Sequence, residues 1–291
     1  SFEQDAYPGK PKILFIGLAQ STHTHAWIDL LRDAEFNVRL FAVSEDLPPS
    51  DWPIKVYISG PKAGKNSGSR KYFNSGLRGR IRSLYERVIR RIGWQLRNRN
   101  VWLADVIKKW KPDIIHTLGL FDEQGGLFYL AARQKFHLEN YGKWVLQLRG
   151  GSDMALRRHN PEYCEIIQRA LSECDQIISD NYANIKYAGE LGIPVEKFAP
   201  MGPVSGSGGL DLPSKDLSEI TLPSRRERIL LWPKAYEAQW SKALPVLDAI
   251  QTAWQKIQPC EVYMLAMSSD VYEWYLTLPE EIRKHFHTES R

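Results

Sequence analysis

Cysteine is scarce in this sequence: Cys164, Cys174 and Cys260 are scattered through 291 residues. That excludes a disulfide framework or a cysteine-rich zinc cluster and fits a reducing compartment. Long apolar runs are missing too. The longest clean one, Ile13 to Ala19, is far shorter than the ~20 residues that span a bilayer. The first residues, Ser-Phe-Glu-Gln-Asp, are polar and acidic, unlike a secretory signal, so a cytoplasmic setting is the expectation. No dinucleotide fingerprint follows the first apolar run, where GLAQSTHTHAW stands instead, and NAD binding loses its usual support. A P-loop, a nucleophile elbow and a Cys/His pair are also absent. What is present is ordinary for a globular chain: 43% hydrophobic and 25% charged residues exclude wholesale disorder. The length suits one large domain or two.

Charge is distributed unevenly. Lys62 to Arg99 holds twelve Lys or Arg against one acid, Glu86, a net +11. With +5 overall, the remaining residues sum to −6, so one basic insertion interrupts a mildly acidic body. The insertion opens as a Gly/Ser-rich loop and then turns helical in pattern, with Ile81, Leu84, Tyr85, Val88, Ile89, Ile92 and Leu96 three and four apart. Two readings of its arginines stay open: a solvated helix face, or contact with an anionic membrane surface or substrate. Nucleic acid is disfavoured, because no recognition motif accompanies the charge.

Short β-branched runs alternate with helical patterns. Runs at Ile13–Leu18, Val38–Val43, Ile54–Ser59, Asp113–Leu118, Trp144–Leu148 and Gln176–Ser179 predict strands. Periodicity predicts helices over Trp27–Ala34, Val101–Trp110, Gly126–Gln134, Tyr163–Ser172 and Ala183–Leu191. Strands separated by helix-length segments imply a parallel, Rossmann-like α/β sheet with ligands at its carboxyl ends. Gly202 to Glu227, rich in Gly, Ser and Pro, reads as a linker. The rhythm then restarts with Ile229–Trp232, a helix over Ser241–Ile257 and a strand over Glu261–Met267. The expected division is 1–212, carrying the basic insertion 62–99, and 213–291, the beginning of a second Rossmann-like domain.

Several strand ends carry chemistry. Ser21, Thr22 and Thr24 can cap the first helix, whose free N–H groups favour an anion. His23 and His25 form only a weak metal pair without a nearby carboxylate or thiol. His116 ends its strand in PDIIHTLG, as a cleft residue or a satisfied core histidine. The next strand ends in LRGGSD, where the glycines allow a tight turn and Arg149 and Asp153 can engage a polar substrate. Asp153 can equally cap the helix that follows. Lys234, just past a strand, and Lys242, expected in the first turn of a helix, form a candidate diphosphate clamp.

The order of these motifs resembles a retaining glycosyltransferase of the GT-B fold, family 4. ILFIGLAQSTHTHAW resembles its first strand and loop, and PDIIHTLG its D-hydrophobic-H strand. WVLQLRGGSD resembles its strand ending in a His-Gly-x-Asp type motif. CDQIISDNYANIKYAGELGIPVEKFAPMGPV resembles the segment that closes the first domain, and ILLWPKAYEAQWSKALPVLDAI the stretch that binds the donor diphosphate. The likeness covers most of residues 12–260, with two departures. Arg149 stands at the family's catalytic-site His and cannot serve as a general base. The family's E-x7-E donor motif is missing from its place further C-terminal, so little transfer by this chain alone is expected.

The resemblance implies sugar transfer from a nucleotide-diphosphate sugar to a glycan or lipid-linked glycan, with no bound metal or other cofactor. It puts Lys234 and Lys242 on the donor diphosphate, and Ser21, Thr22 and His23 in a loop near phosphate or acceptor. His116, Arg149 and Asp153 fall on the catalytic and acceptor side, and Gly202 and Gly206 in the interdomain loop. A non-catalytic module binding an anionic glycan or membrane is the alternative. An epimerase or related sugar-nucleotide enzyme is a third, disfavoured by the absent dinucleotide fingerprint.

Overall fold

In a computed structural model of the chain, residues 1–59, 65–73, 99–121, 124–150, 153–206, 221–238 and 241–290 are described. They belong to two compact units, Ser1–Leu210 and Asp211–Arg291. The first is built on seven parallel strands: β1 (Lys12–Gly17), β2 (Asn37–Ala42), β3 (Lys55–Ser59), β4 (Arg70–Phe73), β5 (Ile114–Thr117), β6 (Lys143–Leu148) and β7 (Gln176–Ser179). Their order across the sheet is β4-β3-β2-β1-β5-β6-β7. The chain therefore winds outward from β1 to one edge, returns to β5 and winds out to the other. The reversal between β1 and β5 is the topological switch point of a doubly wound sheet, where ligands gather at the carboxyl ends.

Alternation along β1 explains both layers. Ile13 and Phe15 pack with Trp27 and Ile28 of α1 (Thr22–Asp29), whereas Leu14 and Ile16 face the opposite core. That larger core gathers α2 (Arg99–Trp110), α3 (Gly126–Phe136), α4 (Pro161–Glu173) and α5 (Tyr182–Glu190). Covered on both faces, the strands read as continuous apolar runs. For the same reason their limits fall within a residue of the sequence expectation, and Gln176–Ser179 matches it outright.

Two elements differ. Helix α1 runs from Thr22 to Asp29 rather than from Trp27 to Ala34, because its polar first turn, THTH, carries no apolar signal. Strand β4 forms inside the expected Gly/Ser-rich loop, pairing parallel with β3 through Val56↔Arg70 to Ser59↔Phe73. Buried Arg70 explains it: its guanidinium donates to the carbonyls of Pro49, Trp52, Ile54 and Ser69. The helical pattern proposed for 81–96 lies outside the described residues.

The second unit holds a three-stranded parallel sheet ordered β12-β11-β8, from β8 (Ile229–Trp232), β11 (Glu261–Met267) and β12 (Phe286–Ser290). A small antiparallel pair, β9 (Glu237–Ala238) and β10 (Ser241–Lys242), precedes α6 (Ala243–Ile257). Helices α7 (Ser269–Leu276) and α8 (Glu280–Arg283) complete it. Helix α6 buries Ala243, Leu247, Ile250 and Trp254, one apolar stripe at helical spacing. Strand β8 is an edge among the described residues, so Ile229, Leu230 and Leu231 are exposed despite their apolar character. No helix among the described residues is long and apolar enough to cross a membrane.

Candidate functional site

At the carboxyl end of β1, Ser21 is the N-cap of α1, but its side chain makes no capping hydrogen bond. Its carbonyl accepts the amide of His25 at 3.1 Å, and the loop is tied down by Gln20, which donates to Asp46 at 2.9 Å. Thr24 is buried. His25 is fixed by a 2.6 Å contact to the Ala19 carbonyl and packs on Trp52 at 4.5 Å, whereas His23 is exposed. The two histidines serve different surroundings and do not converge. Among the described residues no group of three or more metal-ligating side chains is placed to hold an ion.

The neighbouring strand ends carry a polar set on one face of the sheet. His116 pairs in register with Phe15 of β1 and Val145 of β6. Counting by twos along β6 puts Gln147 and then Arg149 on that face. Gln147 pairs with Ile178, which places Asp180, just past β7, on it as well. His116 is buried against Phe15 at 5.1 Å and Trp27 at 5.9 Å, and its Nε2 has no partner. Burial, reinforced by the nearby charge of Arg149, pushes its pKa down to about 3, so the imidazole stays neutral at physiological pH.

Gln147 is fully buried, and its Oε1 accepts from Arg149 Nε at 3.2 Å and Nη2 at 3.1 Å. Its own Nε2 is buried without a partner. Burial also depresses the Arg149 pKa, which the Asp180 charge partly offsets. Asp180 Oδ2 accepts the Gly150 amide at 2.5 Å, while Oδ1 accepts from Asn181 at 2.6 Å and Asn184 at 3.4 Å. The structure thus places His116 and Arg149 on one face of the sheet, with Gln147, Asp180 and Asn184 beside them. Asp153 opens a π-helical turn, Asp153–Arg157, but its side chain lies outside the described residues. The cap of the helix that follows, α4, is Asn160, which accepts the Glu162 amide at 3.0 Å. Gly202 turns the chain at φ 75°, where a side chain would be strained, and Val204 then donates to the Ser179 carbonyl at 2.8 Å. Gly206 adopts no such backbone angle and has open space around it.

In the second unit Lys234 and Lys242 are both exposed. Lys242 is the N-cap of α6, at the end of β10, and not a first-turn residue. The pairing Ser241↔Ala238, and the Ser241 hydroxyl donating to the Lys234 carbonyl at 2.6 Å, hold that residue pair extended. A carboxylate already occupies this helix start. Glu237 Oε1 accepts the Leu244 amide at 2.7 Å, and Oε2 lies 3.6 Å from Lys242 Nζ. The sequence reading missed Glu237, although its position three residues past Lys234 is a visible signal.

A doubly wound parallel unit followed by a second parallel α/β unit defines the GT-B class of fold, and the chain has that fold. Solved structures of two functional kinds share it. WaaB, a lipopolysaccharide outer core galactosyltransferase in its apo form, is similar at a TM-score of 0.56 and 13% identity, over 96% of this chain and 68% of that one. A putative UDP-N-acetylglucosamine 2-epimerase from Listeria monocytogenes gives 0.55 and 12%, over 97% and 69%. Anabaena HepE, in complex with UDP and glucose, gives 0.54 and 10%, over 97% and 70%. At such identities the likeness is one of fold. No protein-family model and no curated protein sequence matches the chain.

Proposed function

We propose that the chain is a nucleotide-sugar-dependent glycosyltransferase of family 4 type. It would move a sugar, with retention and without a metal, to a glycan or lipid-linked glycan. The observation that carries this reading is the polar face His116–Gln147–Arg149 at the carboxyl ends of β5 and β6, where the motif order puts the catalytic and acceptor side. Asp153 belongs to the same strand end, and the loop of Ser21, Thr22 and His23 is its phosphate or acceptor neighbour. Lys234 and Lys242 supply cations for the diphosphate, and Gly202 and Gly206 shape the loop that leads toward the second unit. Arg149 keeps its proton, so it acts through charge and hydrogen bonds and not as a base. HepE, in complex with UDP and glucose, shares the fold and supports the choice of co-substrate.

A second reading, UDP-sugar epimerisation, is favoured by the Listeria neighbour. One experiment separates the two. The chain is incubated with UDP-glucose or UDP-N-acetylglucosamine and followed by proton NMR. The transferase reading predicts binding of UDP with at most slow UDP release, the sugar passing to acceptor or water. Inversion at sugar C2 with the nucleotide retained would replace the first reading with the second, and failure of both nucleotide sugars and UDP to bind would remove both.

The basic stretch 62–99 is proposed to hold an anionic membrane surface near the lipid-linked acceptor. Vesicles containing anionic lipid should then bind the chain and release it at high salt, because exposed charges are screened over ~10 Å at 0.1 M. Co-sedimentation indifferent to lipid charge would leave only a solvated face.

A further inference from the structure

Arg149 is a half-buried cation that forms no ion pair among the described residues. Two of its five N–H donors go to Gln147 Oε1. Gln147 is fully buried within β6, so the guanidinium is anchored to a rigid strand rather than left to roam. The carboxylate whose field reaches it, Asp180, is already committed to Gly150, Asn181 and Asn184. Among the described residues no carboxylate takes the remaining guanidinium donors, and a partly desolvated charge without a counter-ion is costly. Beside it, two buried nitrogens, His116 Nε2 and Gln147 Nε2, have no partner among the described residues. His116 is neutral there, so it adds no charge beside the guanidinium. A neutral sugar leaves that charge without a counter-ion, whereas an oxyanion on a sugar supplies one.

Resting on the glycosyltransferase reading, we infer that the sugar or glycan taken by the first unit carries an oxyanion, phosphate or carboxylate, and that Arg149, positioned by Gln147, is its receptor. Gln147 is a positioning residue: it turns the guanidinium fork without contributing charge, so the site stays cationic. A glutamate at that position would grip the fork equally well and cancel the charge.

Calorimetric titration of the full chain with glucose 6-phosphate, glucuronate and glucose tests this. One or both charged sugars should bind, glucose should not, and the better one identifies the anion as phosphate or carboxylate. Arg149→Ala should weaken that binding by about tenfold to a hundredfold, the range of charge-assisted hydrogen bonds. Gln147→Glu should cost about tenfold, although the acceptor oxygen is kept. Arg149→Lys, at a solvent-facing edge, folds whatever Gln147→Glu does and should retain part of the affinity. A Gln147 that merely packs predicts that Gln147→Glu binds like wild type, which overturns its role. Equal affinity for glucose and the charged sugars, or indifference to Arg149→Ala, overturns the receptor. Saturating UDP should leave charged-sugar binding in place; if UDP competes it away, the anion is the nucleotide's own diphosphate and the inference falls. If UDP does not bind while charged sugars do, the glycosyltransferase reading falls and the receptor stands.

Discussion

Asp5→Ala is expected to destabilise the first unit by about 3 kcal/mol, the low end of the range for stranding one member of a buried ion pair. The stranded member is Arg39, buried in β2 with its side chain 2% exposed. Asp5 Oδ1 accepts from Arg39 Nη2 at 2.9 Å and from Trp110 Nε1 at 2.9 Å, and Oδ2 lies 3.2 Å from Lys12 Nζ. The low end applies because Arg39 keeps the Glu3 carboxylate at 3.9 Å, the Tyr57 hydroxyl at 2.7 Å, the Glu3 carbonyl at 3.1 Å and the Trp110 ring at 4.3 Å. In a unit of this size the loss should lower the Tm by about 6–12 °C. Urea unfolding at constant m-value measures it directly. A loss below about 1 kcal/mol would show that the N-terminal segment is dispensable to the sheet.

The same pair sets a pH signature. Burial raises the Asp5 pKa, but hydrogen bonds from Trp110 and Lys12 and the charges of Lys12 and Arg39 outweigh it, leaving the carboxyl below its ordinary value. Its contribution is therefore present above about pH 4 and is lost as the pH falls through the lowered folded value. The gap between wild type and Asp5→Ala should be full at pH 7 and close in strong acid. His116 acts earlier and in both proteins. Unfolded, it takes up a proton near pH 6.5, whereas folded it stays neutral down to about 3. Wild type and variant should thus lose stability in parallel below about pH 6.5 and, as Glu3 and Asp175 take up protons, again in stronger acid, where wild type should fall more steeply by the Asp5 contribution.

Legibility followed burial. Parallel strands covered on both faces announce themselves as apolar runs, which is why β1, β5, β7 and β11 stand out in the sequence. Strand β4, Arg70–Phe73, is an edge strand written in charged and aromatic residues, and its partner Val56 is 14 positions away. Its cause, the carbonyl cage around Arg70, is a tertiary fact. His116 and Arg149 were visible as candidates because a doubly wound sheet takes ligands at the carboxyl ends of its strands. Gln147 was not, because one amide between Leu146 and Leu148 reads as a blemish in a buried strand. The signal was there: an amide buried in a strand must find partners, and Arg149 two residues on was within reach. Asp5 and Arg39 are 34 residues apart, and no local pattern joins them.

Replacing both Lys234 and Lys242 by alanine is expected to weaken UDP binding at least a hundredfold, if these residues hold the diphosphate. Each charge-assisted contact to phosphate contributes ~1.5–3 kcal/mol, and 1.4 kcal/mol is a decade in affinity. Folding should barely change, because both side chains are exposed and neither joins the α6 core. Glu237 supplies a second variant of opposite sign. It occupies the start of α6 as an anion would, accepting the Leu244 amide and pairing with Lys242. A diphosphate arriving there must take Lys242 from it and sit beside its negative charge. Glu237→Gln keeps an acceptor oxygen for the Leu244 amide and removes that charge. UDP should then bind roughly threefold to tenfold tighter, the relief of one like-charge contact at solvent-exposed separations. Calorimetric titration of UDP into the three proteins reads both effects on one scale. Unchanged affinity in the double lysine variant would take the diphosphate away from α6. Weaker binding in Glu237→Gln would mean that the carboxylate holds Lys242 in place for the ligand instead of standing in its way.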